Sequence, residues 1–492
     1  MKTFISLLFV SFFVISINAQ KDIPTDYLSE EFHKNRRELL RSKMPENSVA
    51  VFFANPMRNR ANDVDYIYHQ DPDFYYLTGY KEPHSVLLVF SEDYTDSKGN
   101  TYNEKLFVQE KNARSEMWTG IRLGTQGAKE KLGFEVAENG KEFLNNGIDF
   151  LQFDTVLFKD FFDDYRDNKR DQADLYSLVK SFKNQVGFDI AENVVSNDMQ
   201  KELKQEGRIQ KRANIETKSI LTMMAEMRQI KTPDEMKLLK KAIRISAQGQ
   251  IEVMKAMKPN MSETEIQGIH EYVYKKYGSE YEGYPSIVGA GHNGCVLHYI
   301  ENSKTTVEGD LVLMDLGAEY HGYTADVTRT IPSSGKFTPE QKAIYDIVYE
   351  SQEAGINACL VGESFWIPNQ KARAIINSGL AKLGIINSEE AKHNYLPHGT
   401  SHHIGLDVHD PGTYRELEAD MVITVEPGIY IPDGSPCDEK WWGIAVRIED
   451  DILITEKGPI NLSADAPRKS DEIEKMMKLP SPLDGFKLPK ID

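Results

Sequence analysis

Residues 311–331, LVLMDLGAEYHGYTADVTRTI, decide how the rest of this chain is read. The opening six residues are apolar apart from Asp315. From Thr324 the pattern alternates, with Thr324, Asp326, Thr328 and Thr330 on one face, so the stretch reads as two strands joined by a tight turn. A turn centred on Tyr320 and His321 places Asp315 directly opposite Asp326. Side chains facing each other across an antiparallel pair lie roughly 4.5 to 5.5 Å apart at Cβ, and carboxylates held that close in a half-buried place repel. A shared proton, a buried cation of the chain or a metal ion must neutralise them; a metal suits carboxylates fixed on a rigid scaffold.

The flanking sequence extends this pattern in both directions. Thr232-Pro233-Asp234-Glu235 is a capping box with proline at the first helical position, and Thr338-Pro339-Glu340-Gln341 opens a helix in the same way. Each helix is followed by another, from Ser262 with Glu265 as capping partner and from about Phe365 to Leu383, and then by paired strands carrying acids. The region reads as one helix-helix-strand-strand unit used twice around a curved antiparallel sheet. In the second unit MVITVEPG carries Glu426 among apolar neighbours, and GIAVRIEDD puts Ala445, Arg447 and Glu449 on one face. The segment LPHGTSHHIGLDVHD holds His398, His402, His403 and His409. One histidine with four carboxylates is a ligand set of mostly hard oxygens, suited to two ions such as manganese, cobalt or magnesium more than to a lone zinc.

Ahead of this region, SVAVFFA from Ser48, SVLLVF from Ser85, KLFVQE from Lys105 and TVLF from Thr155 alternate with charged helical segments such as SEEFHKNRRELLRSKM, which predicts a separate α/β layer. QKELKQEGRIQKRANIETK crosses between the two. The chain opens with one lysine and an apolar run from Phe4 to Ile17, which reads as an export signal cleaved after Ala19, because the run is shorter than the roughly 20 residues that span a bilayer. The expected domains are a signal at 1–19, an amino-terminal domain at 20–206, a second domain at 222–465 and an extended or disordered tail at 479–492. A formal net charge of -18 argues against nucleic-acid or anionic-membrane partners. The 3 cysteines, Cys295, Cys359 and Cys437, are too few for a disulfide scaffold and read as small buried thiols.

The stretches YPSIVGAGHNGCVLHYIEN, LVLMDLGAEYHGYTADVTRT, HGTSHHIGLDVHD, TVEPGIYI and RIEDDILIT resemble the aminopeptidase P group of the creatinase and methionine aminopeptidase superfamily. DFYYLTGYKEPHSVLLVF and EMWTGIRLG resemble that group's amino-terminal domain more loosely. The resemblance implies an α/β, creatinase-like amino-terminal domain followed by an α+β pita-bread catalytic domain. It also implies a dinuclear metallopeptidase that removes one residue ahead of proline. Two divalent ions, manganese first with cobalt or zinc as alternatives, would be held by Asp315, Asp326, His402, Glu426 and Glu449. Glu426 would take a proton from the attacking water. His298 and His409 would hold substrate and tetrahedral intermediate, and His398 and Arg447 would line or brace the proline pocket. Trp118 and Asp73 would help close the site across a subunit contact, His403 has no family role, and Arg415 is not securely matched. Peptides beginning Xaa-Pro are the expected partners, a homo-oligomer (dimer or tetramer) the expected assembly, and periplasm or exterior the expected place. The alternatives are an Xaa-Pro dipeptidase and a metal-free binding homologue, the latter disfavoured because no ligand position is lost.

Overall fold

The computed structural model describes residues 24–145, 148–160, 171–188, 213–485 and 488, so the expected export signal and most of the lysine-rich crossing lie outside the described residues. The four apolar runs become strands Ser48–Phe53, Val86–Thr95, Thr101–Val108 and Thr155–Phe158 of a six-stranded mixed sheet. Val49, Val51, Val86 and Leu88 pack on one face with Phe143, Phe150 and Phe182. Ala50, Phe52, Leu87 and Val89 pack on the other with Phe32, Leu40 and Tyr76. Both faces are covered, which is why these strands read as unbroken apolar runs. The sheet's last strand, Ile215–Glu216, pairs with Thr155–Phe158, so this layer reaches past residue 206.

In the second half, helices Pro233–Ala256 and Pro339–Asn357 both open with complete capping boxes, on Thr232 and Thr338. Helices Glu263–Lys276 and Ile367–Lys382 follow, the first capped by Ser262 through the Glu265 N–H. Strand Leu311–Leu316 pairs antiparallel with both Ile287–Ala290 and Val327–Pro332. In the second unit Val422–Val425 pairs with Asp450–Leu453, and Gly428–Ile431 with Ile444–Arg447. Thr328 and Thr330 stitch the units together: Glu449 N donates to Thr328 O at 3.1 Å and Thr330 Oγ1 donates to Arg447 O at 2.9 Å.

The register around the first acids differs from the expectation. Asp315 faces Thr328, and Tyr320 faces Tyr323, because the turn is centred on His321 and Gly322, both with positive φ. That two-residue geometry matches strand twist and is favoured in hairpins. Partners therefore shift by two positions, and since side chains alternate with period two, Asp315 and Asp326 still point to the same face. The pairing is interrupted at Gly317, where a Cβ would lie 1.8 Å from Ala325 O. In the second unit Val425 faces Asp450 and Gly428 faces Arg447. Continuing either ladder across the gap sets Glu426 opposite Glu449, the relation expected of the two aspartates.

Of the cysteines, all free, only Cys359 is buried; Cys295 and Cys437 are partly exposed. Described residues of the tail pack against the protein, with Ser481 buried and Asp484 paired to Lys258. No described helix is long and apolar enough to cross a membrane.

Candidate metal centre

The interruptions in the ladders bring the acids of both units to one cavity of about 510 Å³. Asp315 and Asp326 are joined by the Tyr284 hydroxyl, 2.6 Å from one Oδ1 and 2.5 Å from the other. Arg447 pairs with the second oxygen of Asp315. Burial favours the neutral acid, but Arg447 and Tyr284 outweigh it and hold Asp315 below the usual carboxylate range. Burial and the charge of Asp315 push Asp326 upward.

His402 is locked beside strand Val422–Val425, its N–H donating to Thr424 Oγ1 at 3.1 Å and its carbonyl accepting from Thr424 N at 2.9 Å. Its Nδ1 lies 3.0 Å from the His403 carbonyl, an acceptor only, so Nδ1 carries the proton and Nε2 faces the acids. Nε2 is 3.5 Å from Asp326 Oδ2 and 3.7 Å from Glu426 Oε1. Burial pulls the ring down, yet those two carboxylates raise it to about 9. Burial, with the charges of Asp326 and Asp315, pushes Glu426 up to about 7 against the pull of His402 and Arg447. Glu449 Oε2 accepts from Thr328 Oγ1 at 2.6 Å, while Oε1 is buried with no partner. Burial and its acidic neighbours push Glu449 far above its ordinary value.

These observations test whether a metal fits. Asp326, His402 and Glu449 each place a ligand atom within 4.8 Å of the others, and Asp315 and Glu426 flank them in the same cavity. Four carboxylates face one guanidinium and one imidazole, and a buried carboxylate oxygen lacking a hydrogen bond is costly. The donor set fits hard divalent ions.

Around the acids, Arg447 Nη1 donates to Tyr430 Oη at 2.8 Å, and that hydroxyl donates to His398 Nε2 at 2.9 Å. Nδ1 of His398 is committed to Gly399 O at 2.7 Å, and burial pulls the ring down to about 4, so it is the neutral acceptor this chain requires. His298 and His409 stand exposed at the cavity, the latter edge-on to the His402 ring at 4.4 Å. Tyr284, Pro285, Ile287, Leu297, Ile300 and Val408 supply largely apolar walls.

Other sequence candidates fall elsewhere. His403 is buried against Phe365 and Tyr414 with neither ring nitrogen partnered. Arg415 follows Tyr414, which has φ 51°, on an exposed bend and does not line the cavity. Trp118 is 82% exposed. Asp73 does not face outward to a second subunit: it is 2% exposed and paired with Arg228 of the same chain. Sequence reasoning missed Tyr284, Tyr430 and Thr328 as partners of the acids, and Asp451, whose Oδ2 accepts from Asp326 N at 3.1 Å. The run Glu449-Asp450-Asp451 was the one available signal, since three consecutive acids in an apolar strand require partners.

The chain matches Metallopeptidase family M24 over residues 237–456 and Aminopeptidase P, N-terminal domain, over residues 33–151. It is 36% identical to the Xaa-Pro aminopeptidase of Escherichia coli, across 92% of this chain and 98% of that protein. It is 30% identical to Xaa-Pro aminopeptidase 3 of Homo sapiens, across 87% and 81%. Among solved structures, an Escherichia coli aminopeptidase P variant in complex with substrate superposes with a TM-score of 0.78 at 34% identity, covering 92% of this chain and 98% of that one. Aminopeptidase PepP of Pseudomonas aeruginosa gives 0.78 at 30% identity and the same coverage. With both domains matched in order and the acids gathered in one cavity, the chain belongs to metallopeptidase family M24, in its Xaa-Pro aminopeptidase (aminopeptidase P) group, and is a peptidase.

Proposed function

We propose that the protein is a dinuclear metal-dependent exopeptidase that releases the first residue of peptides with proline second. The observation that carries this is the convergence of Asp315, Asp326, His402, Glu426 and Glu449 on one cavity, with a buried Glu449 oxygen left without a partner. Two divalent ions held by these residues, manganese in this reading, would supply an activated water and stabilise the oxyanion. Glu426 takes the proton of the attacking water. His298 and His409, exposed at the cavity, hold the substrate and the charge that develops on its carbonyl oxygen. Arg447 keeps Asp315 ionised and fixes Tyr430, which fixes His398.

Proline makes the scissile bond a tertiary amide with no N–H to donate, and the largely apolar wall from Tyr284 to Ile300 suits its ring. Arg447 is committed to Asp315 and Arg415 does not line the cavity, which favours the aminopeptidase over a dipeptidase that pairs a cation with the dipeptide's carboxylate. The test is turnover of Ala-Pro-Ala against Ala-Pro with manganese present. The tripeptide is expected to have the higher kcat/KM; a preference of about tenfold or more for the dipeptide, some 1.4 kcal/mol of transition-state discrimination, overturns the reading.

The run from Phe4 to Ile17 supports export to the periplasm or beyond, checked by fractionation and the amino terminus of the mature protein. Met117, Trp118 and Ile121, exposed together on one short segment, support an assembly of two or four copies.

A further inference from the structure

The segment that carries His402 and His409 is folded around one buried carboxylate, that of Asp410. Its Oδ1 accepts from Arg228 Nη2 at 2.5 Å and from the Asp407 N–H at 3.2 Å, and its Oδ2 accepts from Lys231 Nζ at 3.0 Å. The Asp410 N–H donates back to the His403 carbonyl at 3.0 Å. The wrap is tight, because a Cβ on Gly405 would come 2.6 Å from Asp410 Oδ2 and 2.9 Å from Lys231 Nζ. His409 is the residue immediately before Asp410, so these bonds set its backbone.

Arg228 does not serve Asp410 alone. Its Nη1 donates to Asp73 Oδ1 at 2.6 Å, and Asp73 lies on helix Pro72–Thr78 of the amino-terminal half, where Lys159 Nζ holds its other oxygen at 2.8 Å. Asp73, Arg228 and Asp410 are all essentially buried. Lys159 also reaches Asp71 at 3.4 Å, so three cations (Lys159, Arg228 and Lys231) are matched to three carboxylates. One planar guanidinium thus spans acids from both halves of the molecule, a fork that lysine cannot reproduce. Removing one member leaves an uncompensated buried charge, so a disturbance at Asp73 reaches Asp410 instead of being absorbed by solvent.

We propose that Asp73, Arg228 and Asp410 form a positioning relay through which docking of the amino-terminal half sets His409 at the substrate cavity. The relay rests on the reading of His409 as a substrate-holding residue. Asp73 and Arg228 do not line the cavity and are positioning residues only.

The test is a double-mutant cycle on Ala-Pro-Ala turnover, with metal content and melting temperature measured for every variant. A displacement of about 1 Å at a reacting group costs on the order of 10²-fold. Asp73→Asn is expected to lower kcat/KM by about tenfold or more at unchanged metal content, and by about twofold or less when His409→Ala is already present. Arg228→Lys keeps the charge without bridging both acids and reads the same cycle where Asp73→Asn does not fold. A parental kcat/KM in the single variant, or a cost that multiplies in full on His409→Ala, overturns the relay. Parental activity of His409→Ala alone instead overturns the reading of His409 beneath it.

Discussion

Glu263 offers the sharpest check on how the substrate side of the cavity is built. It is the first residue of helix Glu263–Lys276 and fully buried. Its Oε1 accepts from Ala290 N at 2.7 Å and Asn293 Nδ2 at 3.0 Å; its Oε2 accepts from Lys304 N at 2.8 Å and Tyr299 Oη at 3.0 Å. The segment 290–304 carries His298, so one carboxylate ties down both ends of the loop on which that histidine stands. In Glu263→Gln the amide oxygen keeps one pair of donors while the amide nitrogen confronts the other. Tyr299 can turn its hydroxyl toward Ser303 Oγ, 3.0 Å away, and accept from the new amide. The backbone N–H of Ala290 or Lys304 has no such escape.

An unsatisfied buried donor costs about 1–3 kcal/mol, and each bond to the carboxylate was worth about 1.5–3 kcal/mol. Allowing for the bonds that survive, Glu263→Gln is expected to destabilise by about 2–4 kcal/mol. At about 2–4 °C per kcal/mol for a domain of this size, the melting temperature falls by roughly 4–16 °C. The looser loop should also lower kcat/KM by about tenfold, since small misplacements of a contact residue are expensive. Thermal unfolding and Ala-Pro-Ala turnover are the two assays. A melting temperature within about 1 °C of the parent would refute the reasoning, because four charge-assisted bonds cannot be rearranged at so little cost.

Asp326→Asn is expected to remove nearly all activity and lower metal content with the fold retained; full occupancy and ordinary turnover, by elemental and kinetic analysis, would remove Asp326 from the ligand set. Four carboxylates crowded around only one guanidinium and one imidazole destabilise the native state when no metal is bound, so chelation should lower the melting temperature and manganese restore it; coincident melting curves after confirmed metal loss would count against a buried site. His270 is buried with neither ring nitrogen partnered, and burial pulls it down to about 3. Its unfolded form takes up a proton as pH falls below about 6.5 while the folded form refuses one, so it makes stability fall by about 1.4 kcal/mol per pH unit between those values. In urea unfolding between pH 4 and 6, His270→Leu should lessen that slope by about one proton, and parallel slopes would show that the ring charges without penalty.

The hairpin shows why the sequence was legible even where its detail was misread. Centring the turn on Tyr320 and His321 misplaced it by one residue and every partner by two, yet the face of Asp315 and Asp326 survived because strand side chains repeat every two residues. Capping boxes on Thr232 and Thr338 were legible because they are strictly local, four residues deep. The tyrosines were not: Tyr430 belongs to an apolar strand and Tyr284 stands in a mixed segment just before Pro285, and in neither place can a core tyrosine be told from a hydroxyl aimed at a carboxylate. Arg228 was invisible for a different reason, since its two partners lie 155 and 182 residues away and no spacing rule relates them.

Asp326, Glu426 and Glu449 lie where regular pairing stops, with Asp315 in the next-to-last pair of its ladder, and this placement follows from what a ladder allows. Inside a continuous antiparallel ladder an inward carboxylate meets mainly the side chains on the same face of the strands beside it. Gly317 ends one ladder two residues past Asp315, and the unpaired Glu426 and Pro427 separate two others, so neighbouring segments turn relative to each other and the four acids aim at one volume. The interruptions also free backbone groups, and those are taken up across the two units, as Glu449 N is by Thr328 O. Filling the gap at Gly317 with a side chain would force Ala325 away and separate Asp326 from Asp315 before any acid was altered. The glycine is therefore as much a determinant of the acidic cluster as the carboxylates.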